Sequence, residues 1–319
     1  MINNGMDNTL PTANVPTTAT RFPSIGSLFI QSWELFVSRL GRLALFTLIS
    51  GFFNFLFIFI IVLILIFVAI ISNFGSSPAG HAAATPVFLS IFVLTGIVVI
   101  VVCSIIISAL SDAWTILALN EAKTTSFGSI FKKGFGLIIP LSFISVISLF
   151  VSLGGLSFFI LPAFIFAYLF LFVSYEVVCD NQRGINAFKR SYAIATHNFG
   201  EVFIRIIIIC VISFAFSIVG DLIIHQIPTF AFIWVFISIL VSWYQLCYSF
   251  TLYQQARVHT DLNKPVSLLW VWVISAVGWI IFLLLMFFLI NLSTQLVKSG
   301  ELQKIIQSYE KQNKMAPIW

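Results

Sequence analysis

The chain has 319 residues, of which 60% are hydrophobic and 8% are charged, and its mean hydropathy is +1.08. Soluble domains are roughly half apolar and a quarter charged, so this composition excludes an ordinary soluble protein. The formal net charge of +5 reflects an excess of Lys and Arg over Asp and Glu. The apolar runs are long enough to cross a bilayer and lack the alternation of barrel strands, which predicts an all-α polytopic transmembrane protein.

Seven candidate spans follow a polar opening segment. Residues 1–23 are rich in Asn, Thr and Pro and predict a disordered cytoplasmic tail. The first apolar run begins about 40 residues in, so we expect no cleaved signal peptide. The predicted spans are 43–71, 87–107, 137–153, 156–178, 202–219, 230–252 and 268–292. We therefore predict a six-span membrane domain over 24–257, an additional span within 258–292, and a polar tail over 293–319.

The basic residues lie on one side of these spans. The loops after spans one, three and five contain no Lys or Arg, whereas twelve lie before span one and in the other loops. Because short cytoplasmic loops concentrate Lys and Arg, this bias predicts a cytoplasmic N-terminus. The other four lysines follow span seven and would lie outside the cell if that span crosses. The segment could instead turn back near Gly278, but we favour seven crossings.

Three short segments that precede paired spans resemble one another. The first and second share a Ser-x-Gly-Ser-x-Phe pattern, at 24–29 and 126–131. The first and third share Phe, Ser and Gly at equal spacing, at 29–41 and 188–200. We interpret the chain as three helical hairpins, each preceded by a cytoplasmic amphipathic segment, with a seventh helix added.

The third segment is the most polar part of the membrane domain. After the turn sequence DNQRG, one apolar face of a helix would carry Ile185, Phe188, Tyr192, Ala195, Phe199, Val202 and Phe203. This pattern predicts an interfacial helix over 185–200, with a similar one over 24–41 and a bend at Gly200. The candidate lipid-headgroup contacts are Lys189, Arg190, Lys132 and Lys133. The alternative is a loop helix that packs on the spans and has no role in lipid binding.

The sequence shows no recognisable catalytic, metal-binding or nucleotide-binding motif. The four histidines are scattered and no nucleotide-binding or hydrolase motif occurs, so we expect no catalytic residue, metal site or cofactor. One polar stripe lies in span six, formed by Ser242, Gln245 and Ser249. It could line a substrate path, although hydrogen bonding between helices is the commoner use of such residues.

The segment EVVCDNQRGINAFKRSYAIATHNFGEVF, residues 176–203, resembles the signature of the membrane domain of bacterial glycerophosphodiester phosphodiesterases and its stand-alone multi-pass relatives. The matching positions are Pro162, Phe166, 180–184, 187–191, Asn198 and Phe199, and the resemblance covers about residues 24–257. Phe188 replaces a Leu of that signature, Gly200 replaces an aromatic residue, and span seven has no counterpart. The resemblance implies a membrane module without the phosphodiesterase domain, so no catalytic residue is carried over.

Two function classes follow from these observations. We favour a non-catalytic protein of a bacterial plasma membrane, an accessory or scaffold module linked to lipid or envelope metabolism. The alternative is a small transporter with a substrate path near span six, which broken helices in matching positions would favour. A membrane-embedded enzyme ranks third. The expected partners are membrane lipids, with a protein partner left open and no nucleic acid.

Overall fold

The computed structural model describes residues 22–74, 85–158, 160–262 and 264–298. All regular secondary structure in these ranges is helical, which confirms the predicted all-α class. Most of both predicted tails, and most of the loop after span one, lie outside the described residues.

Within these described ranges, seven helical segments are long and apolar enough to cross a membrane, and one corresponds to each predicted span. They are Ile25–Ile64, Thr95–Asn120, Ile138–Ser157, Ile160–Asp180, Phe199–Gln226, Pro228–Val258 and Leu269–Leu292. The helices are α1 (Ile25–Phe74), α2 (Thr85–Asn120), α3 (Phe127–Gly136), α4 (Ile138–Phe158), α5 (Ile160–Leu169), α6 (Val173–Asp180), α7 (Ile185–His197), α8 (Phe199–Gln226), α9 (Ala231–Val258) and α10 (Leu269–Lys298), with a 3₁₀ turn at Pro228–Phe230. The chain is a polytopic helical membrane protein.

The first helix is longer than a bilayer is thick. Its 50 residues extend about 75 Å at 1.5 Å per residue, against a hydrocarbon core of about 30 Å. The segment 24–41 is therefore the start of α1, and the separate surface helix predicted there is not formed. No Pro interrupts this stretch, and Gly41 costs only about 1 kcal/mol inside a helix.

The chain divides into two compact units. Unit 1 comprises the residues up to Ser38 together with Asn198–Thr260, and unit 2 comprises Arg39–His197 and the residues from Asp261 onward. The division falls inside α1 and places α10 in unit 2. It thus differs from the predicted division into a six-span domain and an additional span.

Unit 1 is built on the hairpin of α8 and α9. Gly220 on α8 lies against the Trp234 indole so closely that any Cβ there would overlap the ring. Phe216 stacks on the same indole, with ring centroids 4.3 Å apart. Nearer the other end of the hairpin, the Tyr248 hydroxyl donates to the Arg205 carbonyl over 3.1 Å. Small and aromatic residues thus set the separation of the two helices.

Trp114 forms the centre of an aromatic cluster in unit 2. It is 1% exposed, and its ring stacks on Phe131 of α3 with centroids 4.8 Å apart. The indole nitrogen donates to the Phe131 carbonyl over 3.3 Å. Gly134, one turn further along α3, leaves the space that the indole fills. The second predicted amphipathic segment is therefore a separate helix that docks on α2.

Span seven packs on span three through two glycines. A Cβ on Gly278 of α10 would overlap the Gly154 carbonyl of α4. Beside this crossing, the Trp279 indole nitrogen donates to the Phe150 carbonyl over 2.9 Å. α10 is one continuous helix of 30 residues through Gly278. It therefore has the form of a spanning helix, whereas the turn-back alternative required a break.

Because the two helices are so close at this crossing, adding one methyl group at Gly278 should destabilise the protein. Gly278→Ala forces α4 and α10 apart, and we expect it to lower the free energy of unfolding by about 1–3 kcal/mol, the usual cost of overpacking. Gly51→Ala is the matched control, because nothing lies within 4 Å of a Cβ at that position in span one. We expect the control to be neutral or slightly stabilising, since Ala is the better helix former. Denaturant titration in detergent measures both, and equal effects would contradict the close crossing.

Candidate functional site

Span four is a broken helix. α5 ends at Leu169 and α6 begins at Val173, with a turn between them. The Val173 amide bonds the Phe170 carbonyl over 3.1 Å, so the Leu169 carbonyl loses the partner that a continuous helix would give it. Leu169 is 4% exposed, so a new partner for its carbonyl must come from within the protein.

The side chain of Ser191 on α7 supplies that partner. Its hydroxyl donates to the Leu169 carbonyl over 2.8 Å and accepts from the Phe172 amide over 3.2 Å. Ser191 itself is fully buried. One hydroxyl can serve both groups because it carries a donor and acceptor lone pairs. The break in span four is thereby closed by a helix from outside it.

Further contacts hold α7 against span four. The Tyr168 hydroxyl of α5 donates to the Ala195 carbonyl of α7 over 2.9 Å. Phe188 is fully buried, and its ring meets Phe170 edge-on at 4.8 Å. Of the predicted apolar face, Phe188 and Ala195 pack on protein and Ile185 is 49% exposed, while Ile194, outside that face, is buried. α7 therefore packs on span four, as in the alternative to the predicted interfacial helix. We call the contacts of Ser191, Arg190 and Tyr168 between α7 and span four the α7 clamp.

Arg190 joins α7 to two carboxylates of α6. Its Nε lies 2.6 Å from Oε2 of Glu176, and its Nη2 lies 2.5 Å from Oδ2 of Asp180. Glu176 is fully buried and Arg190 is 22% exposed at its side chain. The turn between the two helices contains Asn181 and Gly184, both at positive φ. These two residue types tolerate that backbone conformation and reverse the chain so that Arg190 faces α6.

The four predicted headgroup contacts fall into two classes. Lys132 and Lys189, the first of each basic pair, are exposed. Lys133 and Arg190, the second of each pair, bind acids near the end of a preceding helix, and Lys133 lies 2.6 Å from Glu121. Contacts of Lys132 and Lys189 with lipid headgroups stay a prediction, while Arg190 and Lys133 already have protein partners.

The predicted polar stripe of span six is divided among different contacts. The Ser242 hydroxyl donates to the Ser238 carbonyl of its own helix over 2.8 Å. Gln245 donates to the Ser213 hydroxyl of α8 over 2.5 Å. Ser249 is half-buried. Gln245 thus bonds to a neighbouring helix and Ser242 to its own, and a continuous path along the stripe stays a prediction.

A second polar anchor lies in unit 1 and was not predicted as such. Arg205 is 3% exposed, pairs with Glu201 and donates to the Pro23 carbonyl over 2.6 Å. Its guanidinium lies 4.9 Å from the centre of the Phe22 ring. Asn198, between α7 and α8, donates to the Thr260 hydroxyl over 2.8 Å. The helix break thus falls at Asn198, where an amide side chain finds a partner, and the bend predicted at Gly200 lies inside α8.

No family model, curated protein or solved structure matches this chain. Within the described residues, no group of three or more His, Cys, Asp or Glu side chains is placed to hold a metal ion. The α7 clamp is therefore the site on which we base a function.

Loss of the Ser191 hydroxyl should destabilise the protein. Ser191→Ala leaves the Leu169 carbonyl buried without its partner, which costs about 1–3 kcal/mol. Ser32→Ala is the control, because Ser32 is equally buried but donates to the Leu28 carbonyl of its own helix over 2.7 Å. That carbonyl keeps its backbone partner, so we expect a loss below about 1 kcal/mol. Unfolding in detergent measures both; an equal loss would mean that the break does not depend on Ser191.

Replacing Arg190 should lower the free energy of unfolding more than replacing its exposed neighbour Lys189. Arg190→Gln removes the cation next to the buried Glu176 carboxylate, and we expect the free energy of unfolding to fall by about 3 kcal/mol, the lower end for a broken buried pair. Lys189→Gln should change the free energy of unfolding by less than about 0.5 kcal/mol. Adding Glu176→Gln to Arg190→Gln should recover part of the loss, because the buried negative charge is then removed. If the double variant were no more stable than Arg190→Gln, the buried charge of Glu176 would not be the cause of the loss.

Proposed function

We propose that the chain is a non-catalytic scaffold or accessory module of a bacterial plasma membrane, linked to lipid or envelope metabolism, with its N-terminus in the cytoplasm. The α7 clamp carries this proposal. A scaffold needs a fixed arrangement of its spans, and the clamp ties two parts of a broken span to one cytoplasmic helix by a hydroxyl, an ion pair and a tyrosine.

The way in which the break is filled favours a scaffold over a transporter. Transporters with broken helices present the freed helix ends to substrate or to a coupling ion. In this chain a buried hydroxyl from Ser191 binds both the Leu169 carbonyl and the Phe172 amide. A substrate would have to displace Ser191 before it could reach these groups. The break is thus occupied by the protein itself.

The carboxylates nearest the clamp also have structural partners. Glu176 and Asp180 both bind Arg190, which supports a role for them in holding α6 against α7. The segment that resembles the membrane domain of glycerophosphodiester phosphodiesterases, 176–203, contains these three residues and Ser191. We propose that the chain has the architecture of that domain, and that the signature describes a helix clamp.

The transporter alternative retains one supporting observation, which is that span four is broken at all. Under that alternative, Ser242 near the middle of span six would face water during part of the transport cycle. Under the scaffold proposal, Ser242 faces lipid, and its hydroxyl stays bonded to its own helix.

Cysteine labelling tests both the topology and the path. We place single cysteines at Thr124, Thr229 and Ser242 in a cysteine-free background and treat intact cells with a membrane-impermeant maleimide. Position 229 should react, and position 124 should react only after permeabilisation, because the charge bias places it in the cytoplasm. Position 242 should stay unreacted in both cases, since a thiol in hydrocarbon does not ionise.

Reaction at position 124 and reaction at position 242 would contradict different parts of the proposal. Reaction at 124 in intact cells would reverse the topology. Reaction at 242, with 124 protected, would indicate water inside the membrane domain and favour the transporter. Thr124 and Thr229 are both exposed and serve as controls for each other's reactivity.

A further inference from the structure

A polar cleft lies in unit 2 beside the start of α7. Its volume is about 320 Å³, and its walls come from the turn before α7, the exposed side of α7 and the loop that precedes α10. The polar side chains in the walls are Gln182, Asn186, Lys189, Arg190 and Lys264. The cleft therefore lies where span four ends and span seven begins, at the polar boundary of the membrane domain.

The charge of the cleft is positive. Three of its wall residues are cations and none is acidic. Arg190 is already paired with Glu176 and Asp180, so the cations left to attract a ligand are Lys189 and Lys264. Both lysines are exposed, and neither has a carboxylate within 4.0 Å in the part of the chain that the structure describes. Two like charges held at one cleft favour an anion between them.

The polar groups in the walls suit a phosphate group. Lysine ammonium groups bind phosphate as compact point charges, and the amide groups of Gln182 and Asn186 can donate further hydrogen bonds. Asn186 and Lys189 also belong to the first turns of α7, where the helix dipole is positive. The volume is at the small end of ligand pockets, about 300–1,000 Å³, which fits a headgroup-sized anion.

We propose that this cleft binds the phosphate group of a monoester or diester, with Lys189 and Lys264 as its principal ligands. The group can come from an anionic lipid in the adjacent leaflet or from a soluble phosphate compound. The proposal assigns Lys264, in the loop before span seven, a role that its sequence context did not indicate. It is independent of whether the chain is a scaffold or a transporter.

The test measures thermal unfolding of the full chain in an uncharged detergent. The probes are sodium phosphate, glycerol 3-phosphate and dihexanoyl phosphatidic acid, compared with sodium chloride at equal ionic strength and with dihexanoyl phosphatidylcholine. At least one phosphate probe should raise the midpoint in a saturable manner. A rise with the soluble probes assigns the site to the phosphate group alone, whereas a rise with the lipid only assigns it to a lipid headgroup.

Two double variants of equal charge decide whether the cleft is the site. Lys189→Gln with Lys264→Gln should weaken the apparent affinity by roughly 30-fold, given two lost charges near an anion. Lys123→Gln with Arg257→Gln removes two positive charges outside the cleft and should leave the affinity unchanged. The proposal fails if no probe gives a saturable rise, if the cleft variant binds as the unmodified chain does, or if both variants lose affinity equally.

Discussion

The structure of unit 2 depends on how the protein satisfies a backbone carbonyl that a broken helix releases. Leu169 is buried, so a side chain must supply the hydrogen bond that its carbonyl has lost. The Ser191 hydroxyl does so only if α7 runs directly alongside the break, and that position buries Phe188 and brings Arg190 to α6. A single turn of α7 thus combines a hydrogen bond, an apolar contact and an ion pair. The placement of the other contacts follows from the first.

Two ion pairs, one exposed and one buried, contribute differently to the stability of unit 2. Lys133 and Glu121 form a pair in which the lysine is 53% exposed, and such pairs contribute less than about 1 kcal/mol. Arg190 meets a fully buried carboxylate, where the attraction is stronger but desolvation opposes it. The buried pair therefore adds little net stability, yet breaking it is costly. Its effect is to allow α6 only one position against α7.

The sequence predicted the spans well and the clamp poorly, for physical reasons. Apolar runs of sufficient length mark membrane helices, and seven runs correspond to seven helical segments. The break in span four falls at Phe170, Leu171 and Phe172, where no Gly or Pro signals it. Its partner Ser191 lies on a different helix, beyond the reach of any local pattern. The buried face of α7 was predicted only in part, because Phe188 and Ala195 are buried but Ile185 is 49% exposed, and the buried Ser191 and Ile194 lay outside the predicted face. Periodicity also does not distinguish a face that meets lipid from one that meets protein.

The resemblance among the three entry segments has a partly local origin. Ser24 accepts a hydrogen bond from the Ser27 amide over 3.2 Å, and Ser126 accepts one from the Ser129 amide over 3.4 Å. Both are the N-cap contacts that serine commonly provides at a helix start. A Ser-x-Gly-Ser-x-Phe pattern can therefore recur because it begins helices well, whether or not the segments share an ancestor.

The first entry segment differs from the other two because it continues directly into span one as part of α1. α3 docks on Trp114 of α2, and α7 docks on span four, so each of these short helices binds the hairpin that precedes it in the chain. Isolated helices of 10–13 residues are marginal in water, and α3 and α7, with 10 and 13 residues, depend on that docking. The helix at 24–41 is instead stabilised by continuing into span one without a break. The same kind of sequence therefore forms two separate helices that dock on a neighbour and one long helix.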